Sequence, residues 1–113
     1  MAMPIRTLGD LQQYIRALQA NSFHHATKML GVFPQVLVAV LGRIDAESLY
    51  AMERCGKVKN SAWCSINGKY FYFTYCHLTD SVVVRQDSMR GKRVTGFSEG
   101  DTFTHISKTV AAL

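Results

Sequence analysis

An Asn67-Gly68 pair between two aromatic segments is the feature that most restricts how this chain can fold. Both residues of such a pair accept the positive φ angles that a two-residue hairpin turn requires. The flanking segments 62–66 and 69–75 contain the aromatic and β-branched residues that are typical of strands. The pattern predicts an antiparallel hairpin in which Trp63 faces Tyr72.

The sequence beyond this hairpin predicts a second hairpin and a helix. Residues 82–85 and 92–97 each suit a strand, and a polar loop joins them. We therefore expect four antiparallel strands within 60–97. Ser98 is a candidate N-cap, and apolar residues after it recur at helical spacing, so a C-terminal helix is predicted over 98–112.

The hydrophobic pattern ahead of the first hairpin is helical. One apolar face of a first helix is formed by Leu8, Leu11, Ile15 and Leu18. A second helix is predicted over 21–31, and a third begins at Pro34, because proline suits the first helical turn. The third helix contains the apolar run Val36–Leu41, and a continuation capped by Asp45 is predicted to reach residue 56.

These elements predict a single α+β domain over 1–113. It comprises an N-terminal helix-turn-helix-like layer of three helices (5–56), a four-stranded antiparallel sheet of two hairpins (60–97) and a C-terminal helix (98–112). Of the 113 residues, 48% are hydrophobic and 19% are charged. This composition suits one buried core and excludes a disordered chain.

The charge of the chain is distributed unevenly. Thirteen Lys and Arg against eight Asp and Glu give a net charge of +5, which favours an anionic partner. Eight of the basic residues but only four of the acidic residues lie in 57–113. The densest basic group surrounds the second predicted hairpin loop and consists of Arg85, Arg90, Lys92 and Arg93. Such a group suits phosphate contacts, or it protects an edge strand from pairing with another chain. If the two hairpins are adjacent, Lys57 and Lys59 extend this basic group.

The three cysteines Cys55, Cys64 and Cys76 cannot all pair within one chain. No signal-peptide pattern precedes them, so we expect reduced thiols in a cytoplasmic protein. The longest apolar run, Val36–Leu41, is far shorter than the roughly 20 residues that a membrane span requires. We therefore expect no membrane partner.

The segment 11–45 carries small and apolar residues at helix-turn-helix spacing. The matching positions are Ser22, Phe23, Ala26, Leu30, Val32, Leu37, Leu41, Ile44 and Asp45. This pattern resembles the DNA-binding segment of LysR-type regulators, which reads S-F-x-x-A-A-x-x-L-x-V-S-Q-P-x-L-S-x-x-I-x-x-L-E. The positions that face the DNA groove in that family carry Val38, Ala39 and Val40 here. Gln35 is the side chain of this helix that suits a base edge.

A second register of the same motif is also possible. It places the first motif helix at 34–41, the turn at 42–44 and the second helix at 45–55. The residues Met52–Val58 and the hairpin after them then resemble small adhesin-operon regulators of the winged-helix type, with the hairpin as the wing. A helical core layer that only mimics the motif is the third alternative.

The leading hypothesis is a small DNA-binding transcription regulator of the winged-helix type that acts as a dimer. Double-stranded DNA is the expected partner. Phosphate contacts from the second hairpin with its basic loop residues, which we call the basic hairpin, set the affinity. The candidate nucleic-acid-binding residues are Gln35, Lys57, Lys59, Arg85, Arg90, Lys92 and Arg93. Val36–Leu41 or the aromatic sheet is the candidate dimer interface, because matched half-sites require a two-fold axis.

The competing hypothesis is an accessory or inhibitory module of plasmid or phage type that binds another protein and no DNA. The valines of the third helix favour it, because they suit packing more than base recognition. The aromatic strand 70–75 likewise suits packing or an interface more than base stacking. The basic hairpin then contacts an acidic protein surface.

No catalytic or cofactor-binding pattern is recognisable in the chain. The four histidines do not stand at metal-ligand spacing with any cysteine pair, and there is no C-x-x-C motif. Gly68-Lys69 and Gly91-Lys92 lack the upstream glycine of a phosphate-binding loop. We therefore expect no enzymatic activity, no metal and no cofactor.

Overall fold

The computed structural model describes residues 2–21, 31–45, 47–76 and 78–113. The strands are β1 (Ala2–Pro4), β2 (Tyr50–Arg54), β3 (Lys57–Ile66), β4 (Lys69–Cys76), β5 (Ser81–Gln86) and β6 (Arg93–Ser98). The helices within these residues are α1 (Leu8–Asn21), α2 (Phe33–Leu41) and α3 (Phe103–Ala111). Every strand pairs antiparallel with the next along the chain, so the six strands lie in one sheet in sequence order. The fold is α+β.

The central hairpin forms as the sequence predicts. Asn67 and Gly68 have φ angles of 52° and 79° and connect β3 to β4. Trp63 pairs with Tyr72 in the ladder, which confirms the predicted register. The turn and the first strand pair could be predicted because both depend on residues that are close in sequence.

Within the described residues the sheet has six strands, and the predicted four-stranded sheet is therefore wrong. The predicted three-helix layer over 5–56 is wrong for a related reason, because β2 occupies part of that segment. Leu49 and Ala51 are buried, whereas Tyr50 and Met52 are half-exposed. This alternation over 49–52 is that of a strand, and β2 is held between β1 and β3.

The remaining helix predictions have mixed outcomes. Pro34 stands in the first turn of α2, as predicted. The helix predicted between α1 and α2 falls largely on 22–30, which lie outside the described residues. The predicted cap at Ser98 is wrong, because Ser98 ends β6 and the Thr102 hydroxyl accepts the hydrogen bond from the His105 amide that begins α3.

The core lies between the helices and one face of the sheet. Leu11, Tyr14 and Leu18 of α1 are buried there, together with residues from α2, α3 and the central strands. The Tyr14 ring meets the Phe33 ring edge-on with 6.3 Å between centroids, and its hydroxyl donates to the Lys59 carbonyl. Burial raises the pKa of Tyr14 well above its usual value, so the phenol stays protonated and donates this bond.

Candidate ligand-binding groove

A cavity of about 400 Å³ lies between α1 and α2. Its volume lies in the range of small-molecule sites, which are mostly apolar with few polar groups. The lining has this character and consists of Leu8, Leu11, Gln12, Ile15, Arg16, Pro34 and Val38. The cavity opens to solvent, and we call it the α1–α2 groove.

One wall of the α1–α2 groove is a single stripe of α1. Its residues stand at positions 8, 11, 12, 15 and 16, which share a helix face at the spacing i, i+3, i+4, i+7 and i+8. Leu8 is 59% exposed, although leucine is among the residues most often buried. Leu11 belongs to both the groove and the core, so the groove floor is continuous with the packed interior.

The other wall is the outer face of α2. Pro34 and Val38 are one helical turn apart and line the groove, and Val38 is 38% exposed. Val36, Leu37 and Val40 point into the core instead. The run Val36–Leu41 is therefore apolar on every side because α2 has the core on one side and the groove on the other.

The polar groups of the groove are concentrated on one part of α1. Gln12 and Arg16 are one turn apart, and Arg16 makes no salt bridge with a residue that the structure describes. Arg16 lies eight residues after Leu8, which corresponds to about 12 Å along the helix. The groove therefore runs from an apolar end to a cationic end.

The sequence-based interpretation of α1 missed this groove. It assigned Leu8, Leu11, Ile15 and Leu18 to one apolar face, but the structure buries Leu11 and Leu18 and leaves Leu8 and Ile15 beside the groove. The signal that separates them is Tyr14. It lies beside Leu11 and Leu18 at one edge of the apolar arc, whereas Leu8 and Ile15 lie at the other edge.

Of the predicted nucleic-acid-binding set, Gln35 is engaged locally, and Lys57 and Lys59 lie away from the basic hairpin. The side-chain amide of Gln35 donates to the Gly31 carbonyl at 2.8 Å, so this side chain is bonded to the segment just before its own helix. Lys57 and Lys59 lie at the beginning of β3, whereas the basic hairpin is at the end of the sheet where β3 finishes. Ten residues of extended strand separate these ends by about 30 Å.

The rest of the predicted set is brought together. Arg85 pairs with Arg93 across β5 and β6, and Arg85 Nη1 donates to the Gly91 carbonyl at 3.0 Å. Arg90 and Lys92 are exposed in the loop between these strands. The arginines and the lysine therefore share one end of the sheet.

The aromatic side chains on the sheet face opposite the helices pack against one another. Tyr50, Trp63 and Tyr72 form a row with centroids 6.2 Å and 6.1 Å apart and interplanar angles of 22° and 25°. The three rings therefore contact one another in a row across β2, β3 and β4.

The thiols differ in their surroundings. Burial raises the pKa of Cys64 to about 12, whereas hydrogen bonds from the Thr79 hydroxyl and nearby backbone amides lower the pKa of Cys76. Within the described ranges, no three His, Cys, Asp or Glu residues are grouped so as to hold a metal. No helix in that part of the chain is long and apolar enough to cross a membrane.

A comparison with protein families corrects the predicted resemblance. The family model described as integron cassette protein VCH_CASS1 chain matches residues 11–106, from α1 into α3. No curated protein matches the chain. The resemblances to LysR-type and adhesin-operon regulators are therefore wrong, and with them the predicted DNA-binding regulator.

The family match gives no support to the competing hypothesis of a plasmid or phage accessory module either. The second motif register is also contradicted by the fold, because residues 50–54 form β2 and not a recognition helix. The match extends over helices and sheet together, well beyond the short helical motif that suggested the regulators. The chain belongs to the integron cassette protein VCH_CASS1 family.

Proposed function

We propose that this protein binds a small amphipathic carboxylate in the α1–α2 groove. The apolar tail lies along Leu8, Ile15 and Val38, and the carboxylate meets Arg16. The observation that carries the proposal is the guanidinium of Arg16, which forms no salt bridge with any carboxylate that the structure describes, at one end of a mostly apolar groove.

The apolar lining accounts for the tail. Each methylene that leaves water contributes about 0.8 kcal/mol, which is roughly a fourfold gain in affinity. The groove spans about 12 Å from Leu8 to Arg16, a length comparable to that of a medium-chain acyl group. Affinity is therefore expected to rise with chain length until the tail passes Leu8.

Arg16 accounts for the head group. A guanidinium forms two parallel hydrogen bonds with a carboxylate, which makes the pair stronger and more directional than a single neutral bond. The Gln12 amide, one turn away on the same stripe, supplies a further donor. A neutral alcohol of the same length lacks the charge and is expected to bind more weakly.

Binding of this kind requires no catalytic group, and we propose that the protein acts without chemistry on its ligand. Cys55, Cys64 and Cys76 are all unpaired, which supports the proposal that it acts in the reducing cytoplasm.

Calorimetric titration with hexanoate, octanoate, decanoate and octanol tests the proposal. Octanoate is expected to bind more tightly than hexanoate and octanol. Arg16→Gln is expected to reduce octanoate affinity to that of octanol, and Leu8→Gln to weaken both. Arg43→Gln is the matched control, since Arg43 is exposed and does not line the groove.

Two results would overturn the proposal. One is the absence of saturable binding of all four compounds. The other is a concentration-dependent dimer, measured by sedimentation, that Val38→Gln abolishes, because a second copy of the chain then occupies the groove.

A further inference from the structure

One end of the sheet brings together residues from two turns that are distant in sequence. The Asp87 amide donates to the Tyr70 carbonyl at 2.9 Å, and the Gln86 amide donates to the Lys92 carbonyl at 2.9 Å. These bonds hold the beginning of β4 against the loop between β5 and β6. Exposed side chains from both segments therefore lie at this end of the sheet, and we call this end, with residues 69–71 and 85–94, the sheet-end patch.

Three large apolar side chains of the sheet-end patch are exposed. Tyr70 is 57% exposed, Met89 is 40% exposed and Val94 is 41% exposed. Single exposed apolar residues are ordinary, but a group of them surrounded by charge is typical of an interaction surface.

The charges of the sheet-end patch are mostly of one sign. Its exposed basic residues are Lys69, Arg90, Lys92 and Arg93. Asp87 is the one acidic residue in the segments 69–71 and 85–94. Asp45, which binds the neighbouring Asn67-Gly68 turn, accepts hydrogen bonds from Ser65, Asn67 and Gly68 and is engaged there.

We propose that the sheet-end patch docks the protein on an anionic lipid surface. The cations bind lipid phosphates, and Tyr70, Met89 and Val94 enter the interfacial layer between the head groups. Tyrosine prefers that layer, and long basic side chains extend from it toward phosphate. Such docking needs no membrane-spanning helix and is independent of the α1–α2 groove.

The apolar side chains favour a lipid surface over a nucleic acid. Cations alone account for contacts to a phosphate backbone, and an exposed methionine and valine between them add nothing to such contacts. On a lipid surface the same two side chains leave water, so charge and apolar burial act together.

Co-sedimentation with vesicles of phosphatidylcholine, with and without phosphatidylglycerol, tests this proposal. Binding is expected only to the anionic vesicles and is expected to weaken as salt is added. The double variant Arg90→Gln/Lys92→Gln is expected to lose about 25-fold in affinity, since each basic residue near an anionic surface contributes roughly fivefold. Lys57→Gln/Lys59→Gln makes the same charge change at the opposite end of the sheet and is expected to have no effect.

A second pair of substitutions separates insertion from simple charge attraction. Met89→Ser and Val94→Ser keep every charge, and each is expected to weaken binding without changing its salt dependence. The proposal is overturned if anionic vesicles do not bind, or if the Lys57 and Lys59 control loses as much affinity as the Arg90 and Lys92 variant. It is also overturned if Met89→Ser has no effect while a fluorescent oligonucleotide binds with the same dependence on Arg90 and Lys92.

Discussion

The carboxylate of Asp45 accepts a hydrogen bond from the backbone amide of Gly68 at 3.0 Å, although the two residues are 23 positions apart. The same carboxylate accepts the Asn67 amide at 3.1 Å and the Ser65 hydroxyl at 2.5 Å. The segment that follows α2 is therefore attached directly to the central hairpin turn. These bonds link the helical layer to the sheet at the Asn67-Gly68 turn of the central hairpin.

Asp45→Asn is expected to lower the melting temperature in a way that depends on pH. The hydrogen bond from Ser65, followed by that from Gly68, holds the pKa of Asp45 below its usual value of 3.8. A carboxyl with a depressed folded pKa stabilises the protein above its unfolded pKa, and this stabilisation is lost as pH falls through the folded pKa. The difference from the native protein is expected to be constant above about pH 5 and to shrink below about pH 4.

Thermal unfolding monitored by circular dichroism between neutral and acidic pH measures this difference. Asp87→Asn is the control, because Asp87 also lies in a connection between two elements but is exposed. If the difference in melting temperature between Asp45→Asn and the native protein stays the same down to acidic pH, the role assigned to the Asp45 carboxylate is contradicted.

Tyr14→Phe is expected to reduce the free energy of unfolding by about 0.5–1.5 kcal/mol. The substitution keeps the ring against Phe33 but removes the hydroxyl that donates to the Lys59 carbonyl. Urea denaturation measures the change. Tyr70→Phe removes an exposed hydroxyl and is expected to have no measurable effect, so equal losses for the two variants would argue against a role for the buried bond.

Gly91→Ala is expected to destabilise the protein by about 1–3 kcal/mol, the cost typical of overpacking. A Cβ atom at Gly91 would lie 1.8 Å from the Gln86 carbonyl oxygen, so the loop between β5 and β6 must shift. Gly100→Ala meets no atom within 4 Å and is expected to be tolerated. Thermal melts of the two variants provide the comparison, and equal melting temperatures would contradict this close approach.

Local chemistry explains why the central hairpin could be predicted in detail. Its turn residues and its two strands are contiguous, and the register follows from the length of the turn. The strand β2 was missed because its partners are remote. Ala51 pairs with Met3 on one side and Ala62 on the other, and the helical interpretation of 45–55 was made without those neighbours.

The regulator resemblance was wrong for a comparable reason. Small and apolar residues at helix-turn-helix spacing occur wherever two amphipathic helices pack closely, so a short motif does not distinguish a DNA-reading pair from a core layer. The informative difference from the LysR-type pattern was the apolar run Val36–Leu41. Val36, Leu37 and Val40 are core residues, and Val38 lines the groove.

The sequence by itself determined the central hairpin, its register and the start of α2, because each depends on residues that are close together along the chain. It also determined the excess of positive charge in residues 57–113, which follows from composition alone. Only the tertiary structure decided where those features meet. It placed Lys57 and Lys59 far from Arg90, since a ten-residue strand intervenes, and it brought Tyr70 beside the second hairpin loop. It also brought Leu8 and Val38 into one groove, since a groove between two helices exists only once both are packed on the same core.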